Sequence, residues 1–225
     1  MCGRFALFAD PAALVAYFEL DQALESLATP ARYNVAPGQA VAAVRIDERG
    51  RRQLSALRWG LVPFWAKDAS IGYRMINARG ETLAERPAFR EALHRRRCLI
   101  PASGFYEWRK TPGRRSQPFF IAAAREPLLA FAGLWERWRN PKGEPLESCT
   151  IVTTQASSVV APIHARMPVI VGHADQSLWL DPQTNVSLEE IVARGPELTA
   201  RPVSLAVNDP RHDGPELIEA ASDVE

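Results

Sequence analysis

Residues 95–110, RRRCLIPASGFYEWRK, indicate the fold class most directly. A short apolar run typical of a buried strand is followed by a Ser-Gly break, and then by a run with aromatic residues on both sides of Glu107. The next segments, PFFIAAA (118–124) and LLAFAGLWERW (128–138), have the same character. This whole region is therefore predicted to form β-strands.

The sequence on either side continues the pattern. AVAAVRI (40–46) and QLSALRWGLV (53–62) flank the turn-like segment DERGRR and predict a hairpin. Further on, SCTIVTT (148–154) and HARMPVIV (164–171) are two β runs separated by a loop of small and polar residues. The series contains no βαβ unit and no internal repeat, so a mainly antiparallel sheet is expected.

Short helices are expected to flank this sheet. Asp10-Pro11 is a helix-start signal, because an N-cap residue is followed by proline in the first turn. Helical patterns also cover residues 81–97, 174–181 and 186–195. The expected fold class is therefore α/β of the α+β type, with strands dominating.

The composition bounds the function classes. The 225 residues are 47% apolar and 24% charged, as in ordinary globular domains, and the net charge is only +1. A nucleic-acid site would therefore depend on local grouping of the 27 lysines and arginines. Acidic residues interrupt the N-terminal apolar stretch, and no run approaches the roughly 20 apolar residues of a membrane span. We expect a cytoplasmic protein with no membrane partner, no metal and no cofactor.

Cys2 is distinguished by its position in MCGRF (1–5). Removal of Met1 before the small residue Cys2 would leave an amine with a pKa of about 7.7–8.0 beside a thiol with a pKa of about 8.5. Such a 1,2-aminothiol forms an imine with an aldehyde and then closes a thiazolidine ring. Cys98 and Cys149 lie in apolar runs and are expected to be buried small hydrophobes. Taken alone, a cysteine at the second position more often has no chemical role.

Two segments carry further candidates, each with an ordinary structural alternative. Trp59 and Trp65 in WGLVPFWAKD either pack on the core or form a stacking platform for unpaired bases. Asn77 and Arg79 occupy alternate positions in MINARGET and would point the same way from a strand. Residues of these types near a helix start are more often a cap and a surface charge.

Two titratable residues could move protons. Aromatic neighbours are expected to raise the pKa of Glu107 toward neutrality, although an ion pair with Arg109 or Lys110 is an equal alternative. His164 lies at a strand entry, two residues before Arg166, where a histidine can act as a general acid or base. A lone histidine is still more often structural.

Eight segments in order resemble the SRAP family of abasic-site processing proteins: MCGRF, RYNVAPGQ, WGLVPFWAKD, MINARGET, RRCLIPASGFYEW, FAGLWE, IHARMPVI and VSLAVNDPRHDGPELI. The resemblance implies a single compact domain over residues 1–225, with sheet that curls toward a barrel. It also implies a monomer that binds abasic sites in single-stranded DNA, at the nucleoid, and links to them covalently. The reactive residues would be Cys2, Asn77, Glu107 and His164, and the DNA contacts would be Arg4, Asn34, Trp59, Trp65, Arg79 and Arg166.

The chemistry of an abasic sugar fits these residue types. The sugar is mostly a closed hemiacetal, so protonated His164 would first open it by proton transfer to the ring oxygen. Glu107 would then take a proton from the Cys2 ammonium and return one to the departing hydroxyl. Asn77 can hold the amine or the sugar without altering the charge of the site.

Two other functions stay open at this point. A free N-terminal cysteine near Asn and His is also the arrangement of an N-terminal-nucleophile thiol autopeptidase, an activity ascribed to the family. Arginine and tryptophan groups alone would suffice for a non-covalent single-strand binder. Weak lyase activity is expected only where ring closure is incomplete, because an imine permits β-elimination.

Overall fold

The computed structural model describes residues 2–21, 30–110, 112–113, 115–185 and 187–221. The expected removal of Met1 concerns a residue outside these ranges. The described strands, in chain order, are β1 (Phe5–Leu7), β2 (Arg32–Val35), β3 (Ala40–Ile46), β4 (Arg52–Trp59), β5 (Asn77–Arg79), β6 (Arg97–Ala102), β7 (Gly104–Arg109), β8 (Gln117–Ala123), β9 (Leu129–Arg139), β10 (Pro145–Gln155), β11 (Arg166–Pro168) and β12 (Leu198–Pro202).

Short helices connect these strands, as the sequence predicts. The α-helices are α1 (Pro11–Phe18), α2 (Pro87–Arg95), α3 (Gln176–Leu180) and α4 (Leu188–Ala193). Short 3-10 helices cover Ala69–Arg74, Gly80–Thr82, His173–Asp175, Leu205–Asn208 and Pro215–Ile218. Among the described residues, no helix is long and apolar enough to cross a membrane.

Five strands close into a barrel in the order β10-β4-β3-β6-β9, with β9 returning to β10. An odd number of strands cannot alternate in direction around a closed ring, so at least one neighbouring pair must be parallel. That pair is β4 and β10, whereas the other four pairs are antiparallel. The expected α+β class with a mainly antiparallel, curled sheet is therefore confirmed.

A second sheet, ordered β12-β8-β7-β1-β2, packs against the barrel. Its β1 strand brings the start of the chain into the core, because the Phe5 ring lies 5.2 Å from Trp59 and 5.9 Å from Phe131. Both partners belong to barrel strands and are buried. Aromatic packing of this kind holds the two sheets together and fixes the position of the residues just before Phe5.

Local signals explain where several elements start and stop. The Asp10 side chain accepts a hydrogen bond from the Ala12 amide at 2.7 Å and caps α1, as predicted. The predicted hairpin is β3–β4, and the carboxylate of Asp47 accepts from two amides of its turn. Ser103 separates β6 from β7, and β7 begins at Gly104, where a Cβ atom would overlap the Phe120 ring.

The helix predicted over 81–97 is shorter in the structure. It begins only at Pro87, whose fixed φ suits a first helical position and whose ring disfavours helical backbone in the residue before it. The residues ahead of it form a 3-10 turn, and Arg97 already belongs to β6. The first residue of the helix predicted over 186–195 lies outside the described residues, and α4 begins at Leu188.

Candidate functional site

The end of β10 organises the candidate site. One side of β10 pairs first with β4 and then with β5, where Asn77 is opposite Ile151 and Arg79 is opposite Thr153. The other side pairs first with β9 and then with β11, which begins at Arg166. Two segments about 90 residues apart in sequence, one carrying Asn77 and Arg79 and the other carrying Arg166, are thus brought to the same strand end.

Asn77 reaches from this strand end to the start of the chain. Its side-chain Nδ2 donates to the Cys2 carbonyl at 2.7 Å. Its Oδ1 is buried and has no hydrogen-bond donor among the described residues. A buried amide oxygen without a donor is costly, so it is available to accept from a group that enters the site, such as an amine on Cys2.

The Cys2 thiol is buried, and its Sγ lies 3.8 Å from the Arg4 carbonyl. Burial raises the pKa of this thiol far above its ordinary value, and the nearby Glu107 carboxylate raises it further. The ordinary thiol pKa expected from the sequence is therefore wrong for the folded site. At neutral pH the thiol stays protonated and needs a base before it can attack.

Glu107 can serve as that base. It lies on β7, is only 2% exposed, and has its pKa raised by burial, which confirms the direction expected from its aromatic setting. Its Oε1 lies 3.9 Å from Nδ1 of His164, and the charge of that histidine opposes the rise. Arg109, considered as an ion-pair partner, instead places its guanidinium 4.9 Å from the centre of the Phe119 ring.

The His164 ring is held by the backbone of Arg166. Its Nδ1 lies 3.0 Å from both the amide nitrogen and the carbonyl oxygen of that residue. The amide donates to an unprotonated Nδ1, and a protonated Nδ1 can donate to the carbonyl, so either charge state finds a partner. With 31% of its side chain exposed, the ring can exchange a proton with a ligand that arrives from solvent.

Comparison with known proteins shows to which family this chain belongs. The family model described as SOS response associated peptidase (SRAP) matches residues 1–210. The chain belongs to the SRAP family. The abasic site processing protein YoqW of Bacillus subtilis is 42% identical over 98% of this chain and 100% of its own length. The abasic site processing protein HMCES of Rattus norvegicus is 32% identical over 76% of this chain and 57% of its own length.

Solved structures of similar proteins share the SRAP fold seen here. A crystal structure of a protein from Bacteroides thetaiotaomicron has a TM-score of 0.84 and 25% identity, and covers 98% of this chain and 100% of its own. One from Bordetella bronchiseptica has a TM-score of 0.78 and 28% identity, and covers 91% and 100% respectively.

Arg4 and Asn34, which the SRAP resemblance assigns to DNA, are turned inward. Arg4 donates to the Asn34 side chain at 2.7 Å and to the Val207 carbonyl at 2.8 Å. Asn34 is fully buried, and its Nδ2 donates to backbone carbonyls of the segment 207–212, with the shortest distance, 2.7 Å, to His212. These contacts tie a late segment of the chain to β2 and leave no Asn34 atom for a ligand.

The two tryptophans have different environments. Trp59 is 1% exposed, and its indole nitrogen donates to the Ile76 carbonyl at 2.8 Å, so the core-packing alternative holds for this residue. Trp65 is 50% exposed and lines a cleft with Arg90 and Arg96. Only Trp65 of the pair presents a ring face that an unpaired base could stack on.

Two site features were not singled out from the sequence. Glu81 forms a bidentate ion pair with Arg166, with N–O distances of 2.6 and 2.9 Å. Asp213 accepts from the Arg32 side chain and from the backbone amide of Asn34, both at 2.8 Å. Glu81 stands in the segment MINARGET and Asp213 in NDPRHDG, but neither pairing follows from spacing, because the partners are 85 and about 180 residues away.

In the part of the chain that the structure describes, no group of three His, Cys, Asp or Glu side chains is arranged to hold a metal ion.

Proposed function

We propose that this SRAP-family chain captures abasic sites in single-stranded DNA as a covalent thiazolidine on Cys2, after removal of Met1. The observation that carries the proposal is the convergence of four side chains from distant parts of the sequence. Asn77 binds the Cys2 carbonyl, Glu107 acts electrostatically on the Cys2 thiol, and His164 lies 3.9 Å from Glu107. A 1,2-aminothiol beside an acid–base pair suits capture of an aldehyde.

The first step is opening of the sugar. Protonated His164 gives its proton to the ring oxygen of the closed hemiacetal. The bond between C1′ and the ring oxygen breaks, and the C1′ hydroxyl loses its proton to solvent to become the aldehyde carbonyl. The partly exposed ring suits this role because the sugar comes from solvent. Because Nδ1 faces the backbone of Arg166, the proton is given from Nε2, and the neutral ring that results keeps its Nδ1 proton and donates it to the Arg166 carbonyl at 3.0 Å.

The second step joins the amine to the sugar. The Cys2 amine attacks C1′ of the aldehyde, and one amine proton moves to the oxygen to give the carbinolamine. Glu107 takes the second amine proton and returns it to the hydroxyl, which leaves as water and yields the imine. Burial raises the pKa of Glu107 and so makes its carboxylate a better proton acceptor than an exposed one, which suits a group that takes up a proton and returns it. The Oδ1 atom of Asn77 accepts a hydrogen bond from the amine and orients its lone pair.

The third step closes the ring. The thiol passes its proton to Glu107, and Sγ bonds to C1′. The imine nitrogen then takes up a proton, so no external reagent is consumed. An imine at C1′ is an electron sink that allows β-elimination of the 3′ phosphate, and ring closure removes it. We therefore infer a stable adduct as the main product and weak lyase activity where closure is incomplete.

The environment of the thiol favours this reaction over thiol autopeptidase activity. A thiol peptidase needs a thiolate as its first nucleophile, and here burial keeps the thiol protonated. In the proposed reaction the amine attacks first, and the thiol is needed only later and within the same adduct. Effective molarities of about 10⁵ M or more for intramolecular attack compensate for a weak nucleophile.

DNA contact is assigned to exposed groups at the site and outside it. Arg79 is exposed on β5, two residues after Asn77, and Trp65 is half exposed in a separate cleft with Arg90 and Arg96. With a net charge of +1, these local groups rather than the whole surface must hold the phosphates. We infer that the chain acts as a monomer, in the cytoplasm and at the nucleoid, on unpaired strands in which the sugar is accessible.

A denaturing gel tests the proposal. Wild-type protein mixed with single-stranded DNA containing one abasic site should give a shifted band that survives heating without a reductant. Cys2→Ala keeps an N-terminal amine but no thiol, so its adduct should be trapped by borohydride and lost on heating without it. Equal heat-stable adducts from both proteins would exclude the thiazolidine. Peptide cleavage without DNA would instead support the autopeptidase, and DNA binding with no adduct would support a non-covalent binder.

A further inference from the structure

The guanidinium of Arg166 is held from two sides. Its Nη2 donates to the Thr153 carbonyl at 2.8 Å, and Nη1 and Nη2 also donate to the two carboxylate oxygens of Glu81. The arginine side chain is 18% exposed and that of Glu81 is 47% exposed. Arg166 is therefore the fixed partner on the strand, and the Glu81 carboxylate covers it from the solvent side.

Glu81 stands between two cations at the edge of the site. It follows β5, on which Arg79 is exposed, and the hydrogen bonds from Arg166 together with the charge of Arg79 keep the pKa of Glu81 below its ordinary value. The carboxylate is thus ionised at neutral pH. Carboxylates and phosphates both bind the planar guanidinium in the same bidentate way. Glu81 accordingly occupies the position that a DNA phosphate would need in order to bind Arg166.

We propose that Glu81 is a built-in competitor for the DNA phosphate at Arg166 and that it determines selectivity for abasic over intact single strands. The inference rests on the proposed function of the site. An incoming phosphate takes the place of the Glu81 carboxylate on Nη1 and Nη2, while Thr153 keeps the guanidinium in place. A strand that offers only phosphates loses part of its binding energy in this exchange and is released. A strand with an abasic site is retained because it reacts with Cys2.

The test is the affinity of Glu81→Gln for intact single-stranded DNA of mixed sequence. Glutamine keeps the shape of the side chain but removes the charge that competes. An exposed ion pair contributes up to about 1 kcal/mol, so the variant should bind about two- to fivefold more tightly than wild type. The slope of log affinity against log salt should be steeper by up to about 0.7, the value for one phosphate contact on a single strand, because no carboxylate is displaced on binding. Excess intact strand should also slow adduct formation at an abasic strand more for the variant than for wild type.

Glu147→Gln is the matched control. Glu147 pairs with Arg45 at 3.0 Å, and Arg45 is 18% exposed, as Arg166 is, so the variant removes the same charge beside an arginine of equal exposure. It should leave affinity for intact strands unchanged. Arg166→Ala in the Glu81→Gln background should abolish the gain.

Weaker or equal binding by Glu81→Gln would overturn the proposal. It would show that the carboxylate only positions Arg166 or has no effect on DNA. Because the intact strand contains no abasic site, the affinity measurement does not depend on adduct formation. Absence of any adduct with wild-type protein would therefore count against the proposed function alone.

Discussion

The chemical role that each side chain of the site can take depends on its exposure to solvent. Cys2 and Glu107 are buried, and burial raises the pKa of both groups, whereas His164 keeps about a third of its side chain in solvent. The buried pair suits proton transfer within the adduct, and the exposed ring suits proton transfer to a sugar that arrives from outside. The division of roles that we propose for Glu107 and His164 rests on this difference.

Glu107→Gln should slow adduct formation and also stabilise the protein. The pKa of Glu107 is raised in the folded state, so the folded protein binds this proton more tightly than the unfolded chain, whose carboxyl titrates at about 4.3. The stability of wild type should therefore fall as pH rises from about 4 through the raised pKa, and a neutral amide at this position removes that loss. Melting temperatures measured from pH 4 to 8 should show a gap in favour of the variant that widens with pH. A gap that is constant or reversed would contradict the burial argument.

His164→Ala should affect one substrate and not the other. If His164 opens the sugar, its removal should slow adduct formation with the closed hemiacetal by about 10²-fold to 10⁴-fold, the usual contribution of a general acid. Reaction with a ring-opened aldehyde analogue should remain close to that of wild type. The measurement is a time course of adduct formation with both substrates, in parallel with Glu107→Gln, which should be slow on both. Equal defects of His164→Ala on the two substrates would contradict the assigned role.

Arg4 and Asn34, which the resemblance to the SRAP family assigns to DNA contact, join a loop near the end of the chain to β2 and to the residues before β1. The segment 207–212 is held by Asn34 on β2 and by Arg4 just before β1. It thereby buttresses the part of the chain that leads to Cys2. The loop that carries Trp65 is held where its two ends approach each other. A Cβ atom on Gly60 would lie 2.7 Å from the Gly72 carbonyl oxygen, so the two backbone segments can come this close because Gly60 has no side chain.

Asn34→Ala should destabilise the protein strongly. Its fully buried Oδ1 accepts from Arg4, and the two hydrogens on Nδ2 are shared among three backbone carbonyls. Buried partners left unsatisfied cost about 1–3 kcal/mol each. The expected loss is about 2–4 kcal/mol in the free energy of unfolding, measured by urea denaturation. Asn208→Ala is the control, since its side chain accepts one exposed hydrogen bond from Trp108 and should cost less than about 1 kcal/mol. A stable Asn34→Ala protein with weak DNA binding would return Asn34 to the DNA interface.

The molecule as a whole carries almost no net charge, so its affinity for DNA depends on where single charges lie. Arg4 is held by internal contacts, and Arg166 is paired with Glu81 unless a phosphate displaces that carboxylate. Arg79 is exposed beside Asn77 and is the cation best placed to meet a phosphate next to the lesion. Long-range attraction contributes little, because the solvent screens exposed charges beyond about 10 Å at ordinary salt.

Arg79→Ala should weaken binding to single strands of any sequence. Loss of one phosphate contact should also reduce the slope of log affinity against log salt by about 0.7. Arg49→Ala, in the exposed turn between β3 and β4, removes the same charge away from the site and should leave both quantities unchanged. Fluorescence anisotropy at several salt concentrations measures them. Identical slopes for the two variants would place the phosphate contacts elsewhere.

Local features of this chain could be predicted from its sequence because they depend on neighbours. The β3–β4 hairpin, the Asp10 cap and the break before β7 follow from short-range patterns, and eight short segments in order carry the family resemblance. The burial and the ion-pair partners of individual side chains could not be predicted in this way. Trp59 and Trp65 belong to one motif, yet one is buried and the other exposed, and Arg166 meets a glutamate 85 residues away. Burial and ion pairing are set by contacts between distant segments, which form only once the barrel and the second sheet pack together.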